Sequence, residues 1–308
     1  MADSKRMKLF KELTETVASA LESGDTEKWV SPWVQSASFP CNWEGKRYKI
    51  MNTMILSISA KKQKFKSRHW ITYRKALELG GRVTKGQKSS RIYVWNNREV
   101  EKDGKTERVY YFGSHSMFNA QQITWEGGFP KEYEAPPPNK AIKGSHEFEK
   151  IHEALDPYLE KHQILLEWGH EKAFYSPGTD MIGLPHIDSF KKGEGYALTA
   201  AHEAVHSTGH KYRQDRFKDN FFEKKESYAF EELVAELGAA TLLTELGINP
   251  VGNKQSVAYL CGWARKLRAN PEWLVKAGSQ ADKALDLISK EENSNERKEK
   301  QGTEVLSN

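Results

Sequence analysis

His202, Glu203 and His206 carry residue types at a spacing from which chemistry can be argued: they form an H-E-x-x-H pattern inside the run YALTAAHEAVHSTGH. The run has the composition of a helix, with Ala200, Ala201, Ala204 and Val205 filling the positions between. On an α-helix, residues i and i+4 sit one turn apart on the same side, so His202 and His206 can offer two imidazole nitrogens to one metal ion. Glu203 would then flank the ion, where a carboxylate can take a proton from a metal-bound water whose pKa has fallen to about 7. The expected reaction is metal-assisted hydrolysis of a peptide bond. Two histidines and a carboxylate suit one Zn2+ per chain, with another divalent ion as the alternative.

Two histidines and a water leave one position for a third protein ligand. His210 is four residues beyond His206, but Gly209 stands where the helix can stop, so His210 is expected at the rim or as a cap. Downstream, SYAFEELVAELGAATLLTELG repeats Leu233, Val234, Leu237, Ala240 and Leu242 at helical period and embeds Glu231, Glu232 and Glu236. Glu232 and Glu236 are one turn apart, and at least one of them is expected on the metal. Glu231 points about 100° away from Glu232 and is expected to face solvent. This second helix resembles that of thermolysin-like gluzincins. The resemblance implies Glu232 as the third ligand, against Glu236 or His210, and Glu236 as the carboxylate that fixes the tautomer of His202 or His206. By analogy with such sites, Tyr228 or Tyr175 supplies a phenolic donor to the developing oxyanion.

A chain of 308 residues suits two domains with separate cores. Cys41 and Cys261 belong to no C-x-x-C, which argues against a disulfide framework and for a reducing, cytoplasmic location. No stretch approaches the ~18 apolar residues of a membrane span, so no membrane partner is expected. The net charge of +5 hides an asymmetry. Residues 1–130 hold 23 Lys+Arg against 13 Asp+Glu, and residues 41–100 hold 15 against 3. A basic block beside an acidic remainder points to a polyanion.

The Pro-rich stretch EAPPPNKAIKGS divides the chain, giving residues 1–132 as one domain, 133–147 as linker, 148–288 as a second domain and 289–308 as a polar, disordered tail. In the first part a helix is expected over 5–22, mixed loop and strand signals over 29–58, a helix within SRHWITYRKALELGGRV, and two strands around the turn EKDGK. The fold class is α+β: a small antiparallel sheet in the first domain and a mostly helical second domain. Lys61, Lys62, Lys64, Lys66 and Arg68, continued by Arg74, Arg82, Lys85, Lys88 and Arg91, interleave with Trp70 and Tyr73. Cations attract phosphates and exposed aromatic rings stack on unpaired bases, so single-stranded DNA is the expected partner.

Taken together the segments resemble the ArdC-type antirestriction family. In the first part the likeness rests on NWEGKRYKIMNTMIL, WITYRKALELGGRVTKGQKSSRIYVW and FNAQQI, shared with the N-terminal part of TraC-type primases. In the second it rests on AFYSPGTDMIGLP, YALTAAHEAVHSTGH and EELVAELGAA, with a distant likeness to SprT-like and IrrE-like zinc proteases. The resemblance implies an N-terminal single-stranded DNA-binding domain, a C-terminal zincin-like metallopeptidase domain, and protection of incoming plasmid DNA from restriction during conjugation. It also implies a protein substrate, DNA-bound or restriction-related, that the residues do not name. The competing expectation is a non-enzymatic strand-coating protein with a structural or vestigial metal site.

Overall fold

A computed structural model describes residues 2–22, 39–102, 105–134, 146–218, 225–248, 262 and 264–289. The Pro-rich stretch from 135 and residues 290–308 lie outside the described residues. Two compact units are present, one of Met1–Asn139 with Lys254–Val275, the other of Lys140–Asn253 with Lys276–Asn308.

The first unit opens with helix α1 (Ala2–Glu22), followed by α2 (Ile50–Gln63), strand β1 (Trp70–Thr72), a short helix α3 (Tyr73–Glu78) and β2 (Gly81–Val83). A long antiparallel hairpin of β3 (Ser90–Lys102) and β4 (Lys105–Asn119) comes next, then β5 (Ile123–Trp125). The strands form a sheet ordered β1-β4-β3 and a separate pair β2-β5, all antiparallel. Two expectations are corrected. The segment 50–63 is helical although its Ile, Met and Thr read as strand, because it is buried over six consecutive residues, Asn52 to Ser57, and a helix covered that broadly shows no one-sided period. The expected helix around residue 70 begins only at Tyr73, since Trp70–Thr72 pairs with Met117–Asn119 and the Thr72 hydroxyl accepts from the Lys75 amide as N-cap. Asn52 ties α2 to the hairpin: its side-chain amide donates to the Tyr93 carbonyl at 2.8 Å and its oxygen accepts from the Tyr93 amide at 2.9 Å.

The second unit contains α4 (His146–Lys161), β6 (Leu165–Trp168), β7 (Phe174–Ser176), β8 (Met181–Leu184), α5 (Gly193–Ser207) and α6 (Lys225–Glu245). A last helix, α7, covers Trp273–Ser289. The sheet is ordered β6-β8-β7, parallel on one side of β8 and antiparallel on the other. The α+β expectation holds. Helix α5 packs on α6 through small residues, and a Cβ at Gly238 would lie 2.8 Å from Val205 Cγ2, so only glycine permits this approach. No described helix is long and apolar enough to cross a membrane.

Candidate metal centre

Helix α5 carries His202, Glu203 and His206; α6 brings Glu232 against them. The two Nε2 atoms stand 3.0 Å apart, Glu232 Oε2 lies 3.6 Å from His202 Nε2, and Glu232 Oε1 lies 3.4 Å from His206 Nε2. Three donors on one tetrahedral ion, bound at about 2.0–2.2 Å, are separated by about 3.3–3.6 Å; both edges to Glu232 match and the 3.0 Å edge between the imidazoles is slightly shorter, a triangle sized for a single divalent cation. Among the described residues it is the one group of three potential ligands so arranged.

Each histidine has a carboxylate behind it. His206 Nδ1 is 3.2 Å from Glu231 Oε1, so the tautomer protonated at Nδ1 donates to Glu231 and turns the Nε2 lone pair to the centre. His202 Nδ1 faces Glu236 Oε1 at 3.8 Å. The expectation of a solvent-facing Glu231 is overturned: the residue is 2 % exposed, because α6 is buried on nearly all sides in this stretch and offers no solvent face. Its charge is matched by Arg216, whose Nε and a terminal nitrogen donate to the two carboxylate oxygens at 2.8 and 2.6 Å. Burial alone would raise the Glu231 pKa, but hydrogen bonds from Arg216 and His206 outweigh it and hold the carboxyl below its usual range. Arg216 also donates to the Val205 carbonyl and the Thr208 hydroxyl, tying the end of α5 to the same guanidinium.

Glu203 is buried beside the triangle, and burial pushes its pKa up against the opposing pull of His202 and His206. The backbone amide of Tyr175, on β7, hydrogen-bonds to this carboxyl. For Glu232, burial again acts upward, yet hydrogen bonds from His202 and His206 prevail and depress its pKa strongly. Tyr228 lies one turn before Glu232 on α6 and half exposed; burial and the neighbouring Glu232 carboxylate push its phenol up to about 12.

Tyr175 departs from its expected role. Its hydroxyl donates to Asp180 Oδ1 at 2.7 Å and accepts from an Arg213 terminal nitrogen at 3.0 Å, so its proton is committed away from an oxyanion. Asp180 closes the β7-β8 turn at φ +51° and also accepts from the other Arg213 terminal nitrogen at 2.9 Å. This clamp joins the β7-β8 hairpin to the loop after α5. His210, expected at the rim, is buried instead, with Nδ1 3.9 Å from Asp180 Oδ2. Asp180, Arg213 and Arg216 lie in turns and loops, outside the periodic segments from which sequence reasoning works, and Glu231 was read from its helix with the wrong surroundings.

In the first unit, Lys62, Lys64, Lys66, Tyr73, Arg74, Arg82, Lys85, Lys88 and Arg91 are exposed, while Lys61 and Arg68 are partly buried. Trp70 is a correction: its ring is fully buried in a cluster with Leu56, Ile92 and Met117 and has no face left for a base. Arg74 pairs with Glu78 at 3.1 Å. Lys61, Lys62, Lys88 and Arg91 gather around one cavity; the others do not.

Three potential metal ligands on two helices beside a small sheet, in a chain that also holds a basic α+β unit, define a zincin-like metallopeptidase domain joined to a second module. Residues 153–280 match the family model of the zincin-like metallopeptidases, and residues 7–122 match that of the N-terminal domain of the anti-restriction factor ArdC. The crystal structure of the antirestriction ArdC protein from plasmid R388, free of metal, is 33 % identical, covers 91 % of this chain and 96 % of its own, and superposes with a TM-score of 0.73. Its Mn(II)-bound structure gives 32 %, 92 %, 97 % and 0.72. The DNA primase TraC of Escherichia coli is 30 % identical over 302 residues, which are 94 % of this chain but 27 % of that protein. The chain therefore spans about a quarter of that primase. It belongs to the ArdC antirestriction protein family.

Proposed function

We propose that this chain is a DNA-coupled metallopeptidase that protects incoming single-stranded DNA from restriction in the cytoplasm of a recipient cell. The reading is carried by one observation: three donors from two helices meet at 3.0 to 3.6 Å with a buried carboxyl, Glu203, beside them. His202, His206 and Glu232 would hold Zn2+ or another divalent ion such as the Mn(II) of the R388 relative. A bound divalent ion would acidify water and polarise a carbonyl.

The chain's own residues supply the rest. Glu203, its pKa lifted by burial toward the range of an efficient proton carrier, takes a proton at a carboxylate oxygen and returns it to the leaving amine. Glu231 and Glu236 hold the two imidazoles in place. The outer edge of β7, strung through Tyr175 next to Glu203, offers backbone groups to an extended protein substrate. With Tyr175 committed to its clamp, Tyr228, whose phenol neighbours the Glu232 carboxylate, takes the part of oxyanion donor. The first domain, residues 1–132, provides DNA affinity, and residues 148–288 the hydrolytic site. A DNA-bound or restriction-related protein is the target, and conjugation is the setting in which incoming plasmid DNA is single-stranded.

Glu203→Gln tests this. Bound metal and strand affinity are expected to stay at wild-type levels while protection of transferred DNA in a restricting host falls by about 10²-fold or more. Full protection by that variant would leave a non-enzymatic coat as the working form.

A further inference from the structure

The first unit contains a cavity of 1660 Å³ between α1, α2, the start of β3 and the segment around Arg268 and Pro271. That is larger than the ~300–1,000 Å³ of a pocket enclosing one small ligand, and it suits a polymer segment. Its lining is sorted by chemistry. Lys61 and Lys62, from the last turn of α2, and Lys88, from the loop before β3, bring positive charge to one rim. On α1 the acids that would repel an anion are matched: Glu12 pairs with Arg91 at 3.0 Å and Glu15 with Arg268 at 2.9 Å. The floor is aliphatic, formed by Met54, Ile55 and Ile58. Ser57, in that floor, is 5 % exposed, and its hydroxyl has no protein partner. A buried hydroxyl left unpaired carries the cost of its lost hydration, which a polar ligand atom would offset.

The geometry points to this trough as the seat of a single-stranded polynucleotide, with phosphodiesters along the lysine rim and bases turned onto the aliphatic floor, one polar edge meeting Ser57. The inference rests on the proposed DNA affinity of the first unit and locates it. It also moves the site from where the basic run alone would put it: Arg74, Arg82 and Lys85 lie outside the trough, and Trp70 is core. The one aromatic ring in the lining, Tyr93, is 5 % exposed, and contact with an aliphatic floor reads no base edge, so binding is tolerant of sequence.

The test uses the full chain and a 5-iodouracil-containing oligodeoxythymidine. Lys62→Glu with Lys88→Glu is expected to weaken binding at least tenfold near 0.1 M salt and to flatten log K against log salt by about 1.4, two phosphate contacts at ~0.7 each. Lys172→Glu with Lys191→Glu, the same charge change in the second unit, is expected to keep the wild-type slope. Photo-crosslinks should map to peptides containing Met54 or Tyr93. Crosslinks confined to the exposed hairpin residues Trp95, Tyr110 and Tyr111, or equal loss in both charge variants, overturn the placement while leaving strand binding intact. A wild-type chain with no salt-dependent strand affinity removes the DNA reading itself. Capture by phosphatidylserine vesicles, lost in the rim variant while strand binding persists, would reassign the trough to a lipid surface.

Discussion

At the scale of single residues, the candidate metal centre holds a pair of imidazoles whose orientation depends on groups one step removed. Glu231 sits between His206 and Arg216, and the guanidinium in turn fastens the end of α5. Removing the charge of Glu231 weakens its hold on the His206 ring and leaves Arg216 buried without an anion. Glu231→Gln is therefore expected to lower divalent-metal affinity by about 10- to 100-fold, read by competition with a chromogenic chelator. A folded variant that binds metal as tightly as wild type would show that His206 needs no such support. The three motif residues were legible in the sequence because an H-E-x-x-H spacing has a geometric meaning on any helix. Glu231 was not: the angle between neighbouring positions is fixed by the helix, but which side is wet is decided by the packing around it.

At the scale of elements, the centre exists because α5 and α6 come close enough for side chains from both to meet. Gly238 sets that distance, since a Cβ there would collide with Val205. Gly238→Val is expected to destabilise the chain by about 1–3 kcal/mol through overpacking, and to push Glu232 off the triangle. Thermal unfolding and metal stoichiometry measured together check it: a wild-type Tm with full metal occupancy would show that the helices can part without cost. The same packing explains which elements sequence could read. The hairpin of β3 and β4 announced itself through two runs rich in β-branched and aromatic residues flanking a polar turn, and the second helix through its apolar repeat. Helix α2 did not, because burial from Asn52 to Ser57 erases the amphipathic period, and the β-branched residues then favour the wrong element. The aromatic Trp70 likewise sits beside exposed lysines in sequence while pointing into the core.

At the scale of the whole molecule, the two units are not two successive stretches of chain. The first unit takes in Lys254–Val275 after the chain has built most of the second. Thr14 donates to the Pro271 carbonyl at 2.9 Å, and Arg268 pairs with Glu15. A fragment ending at residue 139 lacks both contacts and one wall of the trough. It is expected to melt at lower temperature than the same unit in the full chain and to bind an oligonucleotide more weakly, which calorimetry and a salt titration would read. Equal stability and affinity would show that the late segment is dispensable. The return of the chain was not visible in composition, because a contact between positions 14 and 271 leaves no trace in local pattern.

That return has a consequence during biosynthesis. A ribosome adding about 5–20 residues per second needs roughly 6–25 s to pass from position 139 to position 264, and throughout that interval Glu15 has no Arg268 and Thr14 no Pro271 to meet. The nascent first unit must wait, incomplete, while Lys140–Asn253 emerges behind it, and the second unit in turn receives Lys276–Asn308 only after Pro271 has closed the first, so each unit is finished by chain made after the other was begun.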